Sequence, residues 1–229
     1  MHNWLINVEG SRIKKMSDTQ QETEAKFYIR DLDGITARLH KLEALLIQPR
    51  VLETNIRFDL PDASLRSEGR VLRLRRDTEA RFTYKGASTN EQGVLSRTEI
   101  EFTVGDFEKA KKFIEALGYQ KLLYYDKYRT TYALESDSLP SGLRSCHIML
   151  DELPYGNFVE IEGENSEMIR AIADQLNLNW DTAIGTSYTA LFERARKVLR
   201  FVFRDLSFEN FADIQVTASD LRVRAADDQ

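Results

Sequence analysis

The chain is patterned mostly at period two. In residues 22–29, Glu22, Glu24 and Lys26 fall on one side of an extended chain, and Ala25, Phe27 and Ile29 on the other. The alternation recurs in 71–76, where Arg73 and Arg75 oppose Leu72 and Leu74, and in 81–86, where Thr83 and Lys85 oppose Phe82 and Tyr84. Residues 97–102 set Arg97, Glu99 and Glu101 against Thr98, Ile100 and Phe102. Residues 127–132 set Lys127, Arg129 and Thr131 against Tyr128 and Tyr132, and 147–151 set His147, Met149 and Asp151 against Ile148 and Leu150. Last, Glu160 and Glu162 alternate with Val159 and Ile161. Residues 51–60 add a strand ended by Pro61-Asp62, and 67–69 and Gly156 mark turns. Helical spacing predicts a helix from Asp31 or Asp33 to Leu46, with Ile35, Leu39, Leu42, Leu45 and Leu46 as its apolar stripe and Pro49 as its stop. Further helices are predicted over 106–117 with Gly118 as terminator, over 166–176, and from Ser187 onward, where Leu191, Val198 and Leu199 run beside Arg194, Arg196, Lys197 and Arg200.

Strands with one apolar and one charged face leave two architectures. An antiparallel sheet can turn its charges to water and its apolar face to the helices. Alternatively, the sheet curls into a barrel with the charges inside and the helices over its outer apolar face. The charged face holds seven acids (Glu22, Glu24, Glu99, Glu101, Asp151, Glu160, Glu162) and seven bases (Lys26, Arg73, Arg75, Lys85, Arg97, Lys127, Arg129), almost without Ser, Asn or Gln. Enclosed, such a set is strongly destabilising unless the charges pair or a ligand completes them. Periodicity alone leaves both arrangements open. Either way the chain reads as one α+β domain of about eight strands with helices outside, without a linker, internal repeat or low-complexity block.

Composition narrows the partners. With 229 residues, 30% of them charged, and a net charge of -5, a nucleic-acid binder with a basic surface is disfavoured, while an internal basic site remains open. Cys146 is the only cysteine, which excludes a disulfide framework and a cysteine metal cluster and makes a reducing, cytoplasmic setting the default. No apolar run approaches the roughly 20 residues that cross a bilayer, so no membrane partner is expected. The stretch Trp4-Leu5-Ile6-Asn7-Val8 is too short and interrupted for a signal-peptide core. Residues 1–20 read as a flexible N-terminal extension, 21–200 as the folded domain, and 201–229 as a partly mobile tail, since periodicity fades beyond Phe208.

A lumen lined this way has narrow chemistry. Converging Arg and Lys neutralise a polyanion, and guanidinium forks match phosphate oxygens. Glu-x-Glu pairs on neighbouring strands supply hard oxygen ligands for Mg²⁺ or Mn²⁺. Together these are the parts that phosphoryl transfer requires. The chain has no Gly-rich phosphate loop of the Walker type, so side chains must bind the phosphates.

An ordered motif set then stands out. Glu22-x-Glu24-x-Lys26 is followed by Phe58-Asp59-Leu60-Pro61-Asp62, Leu72-Arg73-Leu74-Arg75 and Tyr84-Lys85-Gly86. Arg97-x-Glu99-x-Glu101, Lys127-x-Arg129, Asp151-Glu152, Gly156-x-Phe158-Val159-Glu160-Ile161-Glu162 and Ser187-Tyr188 complete it. In this order they resemble the CYTH family of triphosphate tunnel metalloenzymes, which includes class IV adenylyl cyclases, thiamine triphosphatases and inorganic triphosphatases. The resemblance implies an eight-stranded antiparallel β-barrel with a triphosphate in its tunnel and Mg²⁺ or Mn²⁺ as cofactor. It implies that Glu22, Glu24, Glu160 and Glu162, with Asp151 nearby, bind metal, and that Lys26, Arg73, Arg75, Lys85 and Arg129 bind phosphate, helped by Arg97 and Lys127. Glu22, Glu24 and Lys26 would carry the catalysis. Glu99 and Glu101 read as metal- or water-orienting groups or as charge partners, the latter favoured for Glu101. Metal-dependent hydrolysis of an inorganic, thiamine or nucleoside triphosphate is the first expectation. Cyclisation of ATP to cyclic AMP and pyrophosphate is the alternative, and a non-catalytic polyphosphate- or nucleotide-binding module is the third. Several relatives are dimers, so a homodimer is among the expectations. His147 is expected to be a hydrogen-bonded filler, and Tyr124, Tyr125, Tyr128 and Tyr132 to be outer packing or rim residues. The basic face of the fourth helix either closes one tunnel mouth or faces solvent.

Overall fold

The computed structural model describes residues 20–135 and 145–228; the extension before residue 20 lies outside them. Period-two patterning becomes a closed wall. The strands are β1 (Gln20–Ile29), β2 (Leu45–Asp59), β3 (Val71–Arg76), β4 (Ala80–Lys85), the three-residue β5 (Thr89–Glu91), β6 (Val94–Val104), β7 (Gln120–Glu135), β8 (Ser145–Leu153) and β9 (Gly156–Glu162). They form one antiparallel sheet in the order β1-β9-β8-β7-β2-β3-β4-β6, and β6 pairs back onto β1, from Gln20↔Glu99 to Ala25↔Val94. Strand β5 is appended to β6. The result is the expected eight-stranded antiparallel barrel with helices outside.

Closure places the hydrophobic core outside the barrel. Helices α1 (Leu32–Lys41) and α4 (Ser166–Gln175) cover β1, β8 and β9, where Phe27, Ile148 and Ile161 pack with Leu39 and Ile172, all at 0% exposure. Helix α3 (Phe107–Ala116) covers Ile56, Phe58, Leu74 and Phe82 with its own Phe107 and Ile114. Helix α5 (Tyr188–Leu199) buries Leu191 and Phe192 against the chain's C-terminal segment. Each helix starts on a side-chain cap, Asp31, Asp106, Asn165 and Ser187, which accepts from an otherwise unpaired amide in the first turn. Each large apolar side chain so covered contributes about 1.5–3 kcal/mol. The wall therefore stands on its outer face, and the lumen is free to carry charge.

Two boundaries differ from the expectation. Helix α1 stops at Lys41 rather than Leu46, because Glu43 adopts φ 57 in the left-handed region. Leu45, Leu46 and Ile47 instead begin β2, each more than half exposed, and the strand passes Pro49 through register shifts between Leu46 and Val51. The expected turn at 67–69 follows a one-turn helix, α2 (Ser64–Ser67), where Asp59 accepts from the Leu65 and Arg66 amides at 3.0 and 3.1 Å, and Gly69 takes φ 71. The β8–β9 turn needs Gly156: its φ is +143, and a Cβ there would lie 2.7 Å from the Tyr28 ring.

The segment after residue 200, expected to be partly mobile, is docked along the barrel. Leu206 exchanges 2.9 Å backbone bonds with Tyr124 and Asp126 on β7, and the Ala226 amide donates to Tyr28 on β1. Leu206, Phe211, Leu221 and Ala226 are buried. Apolar residues here follow no period because the segment is irregular, so periodicity could not reveal its packing. The Asp227 carboxylate accepts from the Arg30 and Asp31 amides at 2.9 and 2.7 Å, pinning the last turn of chain to the end of β1. Asp227→Ala is expected to cost about 1–2 kcal/mol, read as a lowered denaturation midpoint; an unchanged midpoint would mean this pin carries no stability. No helix among the described residues is long and apolar enough to cross a membrane.

Candidate functional site

The barrel encloses a cavity of about 410 Å³. Its wall is built by parity: β1 turns Glu22, Glu24 and Lys26 inward, β3 Arg73 and Arg75, β4 Lys85, and β6 Arg97, Glu99 and Glu101. Strand β7 adds Lys127 and Arg129, and β9 adds Glu160 and Glu162. Every sequence-predicted phosphate ligand thus lines one hollow, as do four of the five predicted metal acids.

Register decides which charges meet. Lys26 faces Glu160 across β1 and β9 and sits 2.6 Å from it, while Arg129 bridges Glu160 and both oxygens of Asp151 at 2.6 Å. Lys85 holds Glu22 in a very short contact and reaches Glu99 at 3.1 Å; Arg97 donates to Glu22 at 2.9 Å. Glu101 accepts from Arg75 at 3.1 Å and Thr83 at 2.8 Å, the charge-partner role favoured for it. Burial, which alone would raise the Glu22 carboxyl, is outweighed by Lys85 and Arg97, which bring it to about 2. At Glu160, Lys26 and Arg129 outweigh burial and hold the carboxyl well below its usual range.

Glu162 has the opposite environment. It faces Glu24 directly across β1 and β9, and no Lys or Arg among the described residues lies within ion-pair distance of it. Burial, with Glu22, Glu24 and Glu99 nearby, pushes its carboxyl up to about 7 against the weaker pull of Lys85. Glu24 is only loosely matched, at 3.6 Å from Arg97 and 3.8 Å from Lys26. Glu99 is likewise raised, by burial first and then by Glu22, despite Lys85. The lumen therefore has one corner where acid outruns base. Among the described residues no three His, Cys, Asp or Glu side chains converge as a finished metal centre. The surplus at Glu24 and Glu162, with the cation-bound Glu22 beside them, nevertheless fits a divalent cation, which would lower their mutual repulsion.

Asp151 does not reach the cavity. It is at 0% exposure beneath the wall, where it accepts from Lys127, Arg129 and, at 2.8 Å, the Tyr188 hydroxyl. Its oxygens are engaged by those groups, which separates it from the cavity where the other four expected metal acids meet. Glu160, bound by Lys26 and Arg129, is equally committed. His147 is exposed and off the cavity wall. Tyr125, expected on the outside, faces the lumen, as its parity with Lys127 requires. The mouth is closed by the N-terminal residues Ser187, Tyr188 and Thr189 of α5 and not by the helix's basic face, where Arg196 pairs with Glu193.

Strand β2 supplies what the sequence reading missed. Glu53 is 1% exposed, with Lys127 at 3.6 Å and Arg75 at 3.7 Å, and Asn55 donates to it at 3.0 Å. Burial would raise its carboxyl, but Lys127, Arg129 and Arg75 outweigh it and hold it far below the ordinary range. Arg57, two residues further, lines the cavity. The signal was present: Glu53, Asn55 and Arg57 alternate with Leu52, Thr54, Ile56 and Phe58.

The barrel is closed, and its lumen interleaves Arg, Lys and Glu. Residues 20–182 match the CYTH domain, and the chain belongs to that family. A Methanocaldococcus jannaschii protein provisionally named an adenylate cyclase is 28% identical over 182 residues, 74% of this chain and 97% of that one. Among solved structures, a Vibrio parahaemolyticus protein with the same provisional name aligns at TM-score 0.64 with 20% identity, covering 76% of this chain and 98% of its own. A Hippeastrum protein, described as a provisional adenylyl cyclase with a dominant triphosphatase activity, aligns at TM-score 0.56 with 17% identity over 75% and 95% of the two chains.

Proposed function

We propose that this protein is a divalent-metal-dependent triphosphatase: water attacks the terminal phosphorus of a linear triphosphate, the P–O bond to the bridging oxygen breaks, the diphosphate portion leaves, and the attacked phosphorus is released as orthophosphate. The observation that carries this reading is the composition of the cavity wall, cations throughout and one surplus of acid at Glu24 and Glu162, beside Glu22. Lys26, Arg73, Arg75, Lys85 and Arg129 grip the phosphate chain, with Arg97 and Lys127 assisting and Glu53 and Asp151 holding the cations in place. Enclosure keeps bulk water away, so each of these contacts acts in a low dielectric. Mg²⁺ or Mn²⁺, held by Glu24 and Glu162 with Glu22, supplies Lewis-acid stabilisation of charge on the phosphoryl oxygens.

Hydrolysis is favoured over cyclisation by the rings on the wall. Tyr125 and Tyr188 are already engaged there: the Tyr125 hydroxyl takes a 3.4 Å bond from Arg73, and Tyr188 donates to Asp151 while its ring lies 4.4 Å from the Lys26 ammonium. Both rings are buried, at 7% and 8% exposure, so neither offers an adenine an open face. The purified protein, given Mg²⁺ or Mn²⁺ with tripolyphosphate, thiamine triphosphate or ATP, is expected to release orthophosphate. Cyclic AMP with pyrophosphate would favour the cyclase instead, and binding without turnover would reduce the protein to a polyphosphate-binding module.

A further inference from the structure

The cations of the tunnel are not equally satisfied. Lys26, Lys85, Arg97, Lys127 and Arg129 each have a carboxylate within 3.1 Å. Arg57 has none within ion-pair distance among the described residues; its side chain makes one hydrogen bond, Nη1 donating to Thr189 Oγ1 at 2.7 Å. The carboxylate nearest in sequence, Asp59, is occupied by the Leu60, Leu65 and Arg66 amides. Across the β2–β3 pair Arg57 stands directly opposite Arg73, and both side chains line the cavity. Arg73 donates to the neutral oxygens of Thr83 and Tyr125, its Nε is buried without a partner, and its one carboxylate neighbour is Glu101 at 3.9 Å, already held by Arg75. Like charges placed directly opposite on neighbouring strands destabilise a sheet, and more so where water is scarce. Burial, with Arg73 and Arg97 nearby, also lowers the proton affinity of the Arg57 guanidinium despite the opposing pull of Tyr125.

An arginine pair built into a wall with no carboxylate among the described residues closer than 3.9 Å is a socket for an anion supplied by a ligand. We propose that Arg57 is a further substrate-binding residue: with Arg73 it forms a clamp on one phosphoryl group of the substrate's phosphate chain, the clamp's one carboxylate within ion-pair distance being Glu101 at 3.9 Å from Arg73, and Thr189 is its positioning residue. This rests on the triphosphate reading and adds to it a contact that needs no metal, because a guanidinium pair binds a phosphoryl oxygen directly. It also gives the first turn of α5 a task, since Thr189 fixes the Arg57 fork as it closes the mouth.

The test is tripolyphosphate binding by calorimetry, with a chelator present to remove metal, alongside melting of the unliganded proteins. Arg57→Gln is expected to weaken binding by about tenfold to a hundredfold, the scale of a lost charge-assisted contact, with the unliganded melting temperature unchanged or raised. Arg57→Lys keeps the charge without the fork and is expected to lose about three- to tenfold. Thr189→Val is expected to weaken binding several-fold at an unchanged unliganded melting temperature, a split that a purely structural threonine would not produce. Wild-type affinity in Arg57→Gln would overturn the clamp and leave the tunnel reading standing. Failure of the wild-type protein to bind tripolyphosphate with the chelator would overturn the clamp, and failure to bind it with Mg²⁺ or Mn²⁺ restored as well would overturn both.

Discussion

Glu24→Gln is expected to lower metal-dependent phosphate release by at least about a hundredfold, the scale of removing one preorganised electrostatic contact from a transition state, while the protein stays folded. The expectation comes from the unequal use of the lumen acids. Glu160 and Asp151 are each bound by two cations, so removing either would strand buried positive charge, with destabilisation as the main result. Glu24 has only a 3.6 Å and a 3.8 Å contact and faces Glu162 across the strand pair. Its charge is thus nearly idle in the unliganded barrel. Replacing it by an amide of the same size removes repulsion and keeps the shape, so the melting temperature should hold or rise. The measurement is turnover against metal concentration for both proteins, with melting curves as the control. Normal turnover at every metal concentration would remove Glu24 from the metal set.

Parity along the strands made most of this site legible. Eleven predicted residues share the hollow because a strand's side chains alternate without exception, and closure sends one parity inward. Parity specifies a face and nothing about depth. Asp151 obeys it, yet sits beneath Lys127 and Arg129 because its register places it opposite Arg129 and within reach of Tyr188, a residue from a helix far along the chain. Strand β2 was obscured for another reason. Its inward face carries one acid, one amide and one base, too varied to stand out, and its first residues Leu45, Leu46 and Ile47 continue the apolar spacing of α1. Only the left-handed Glu43 separates helix from strand there, and a glutamate gives no warning of such a turn. The docked tail was hidden because its contacts, Leu206 on β7 and Ala225 on β1, are single bridges with no repeating pattern.

Glu162→Gln is expected to stabilise the metal-free protein in a pH-dependent way, by as much as about 3 kcal/mol in alkaline buffer. In the folded protein the Glu162 carboxyl titrates at about 7, against an ordinary value of 4.5. The unfolded chain releases this proton first, so between those two values the folded state holds the extra proton and stability falls as pH rises. Below the window both states are protonated and the site contributes nothing; above it the loss is complete and constant. A shift of this size, at 1.36 kcal/mol per unit, sets the figure of about 3 kcal/mol. Glutamine cannot titrate, so the variant lacks this slope. The carboxylates held low by cations, such as Glu22, lose their contribution only at more acidic pH and affect both proteins alike. The decisive quantity is therefore the difference between the two denaturation midpoints, which should be near zero towards pH 4.5 and widen up to about pH 8. Saturating Mg²⁺ or Mn²⁺ should then close the gap, because a cation that binds the folded state stabilises it by mass action and the wild type offers it one more carboxylate. Two parallel midpoint curves, with the same offset at every pH, would show that Glu162 carries no excess charge and that the acid corner has been misread.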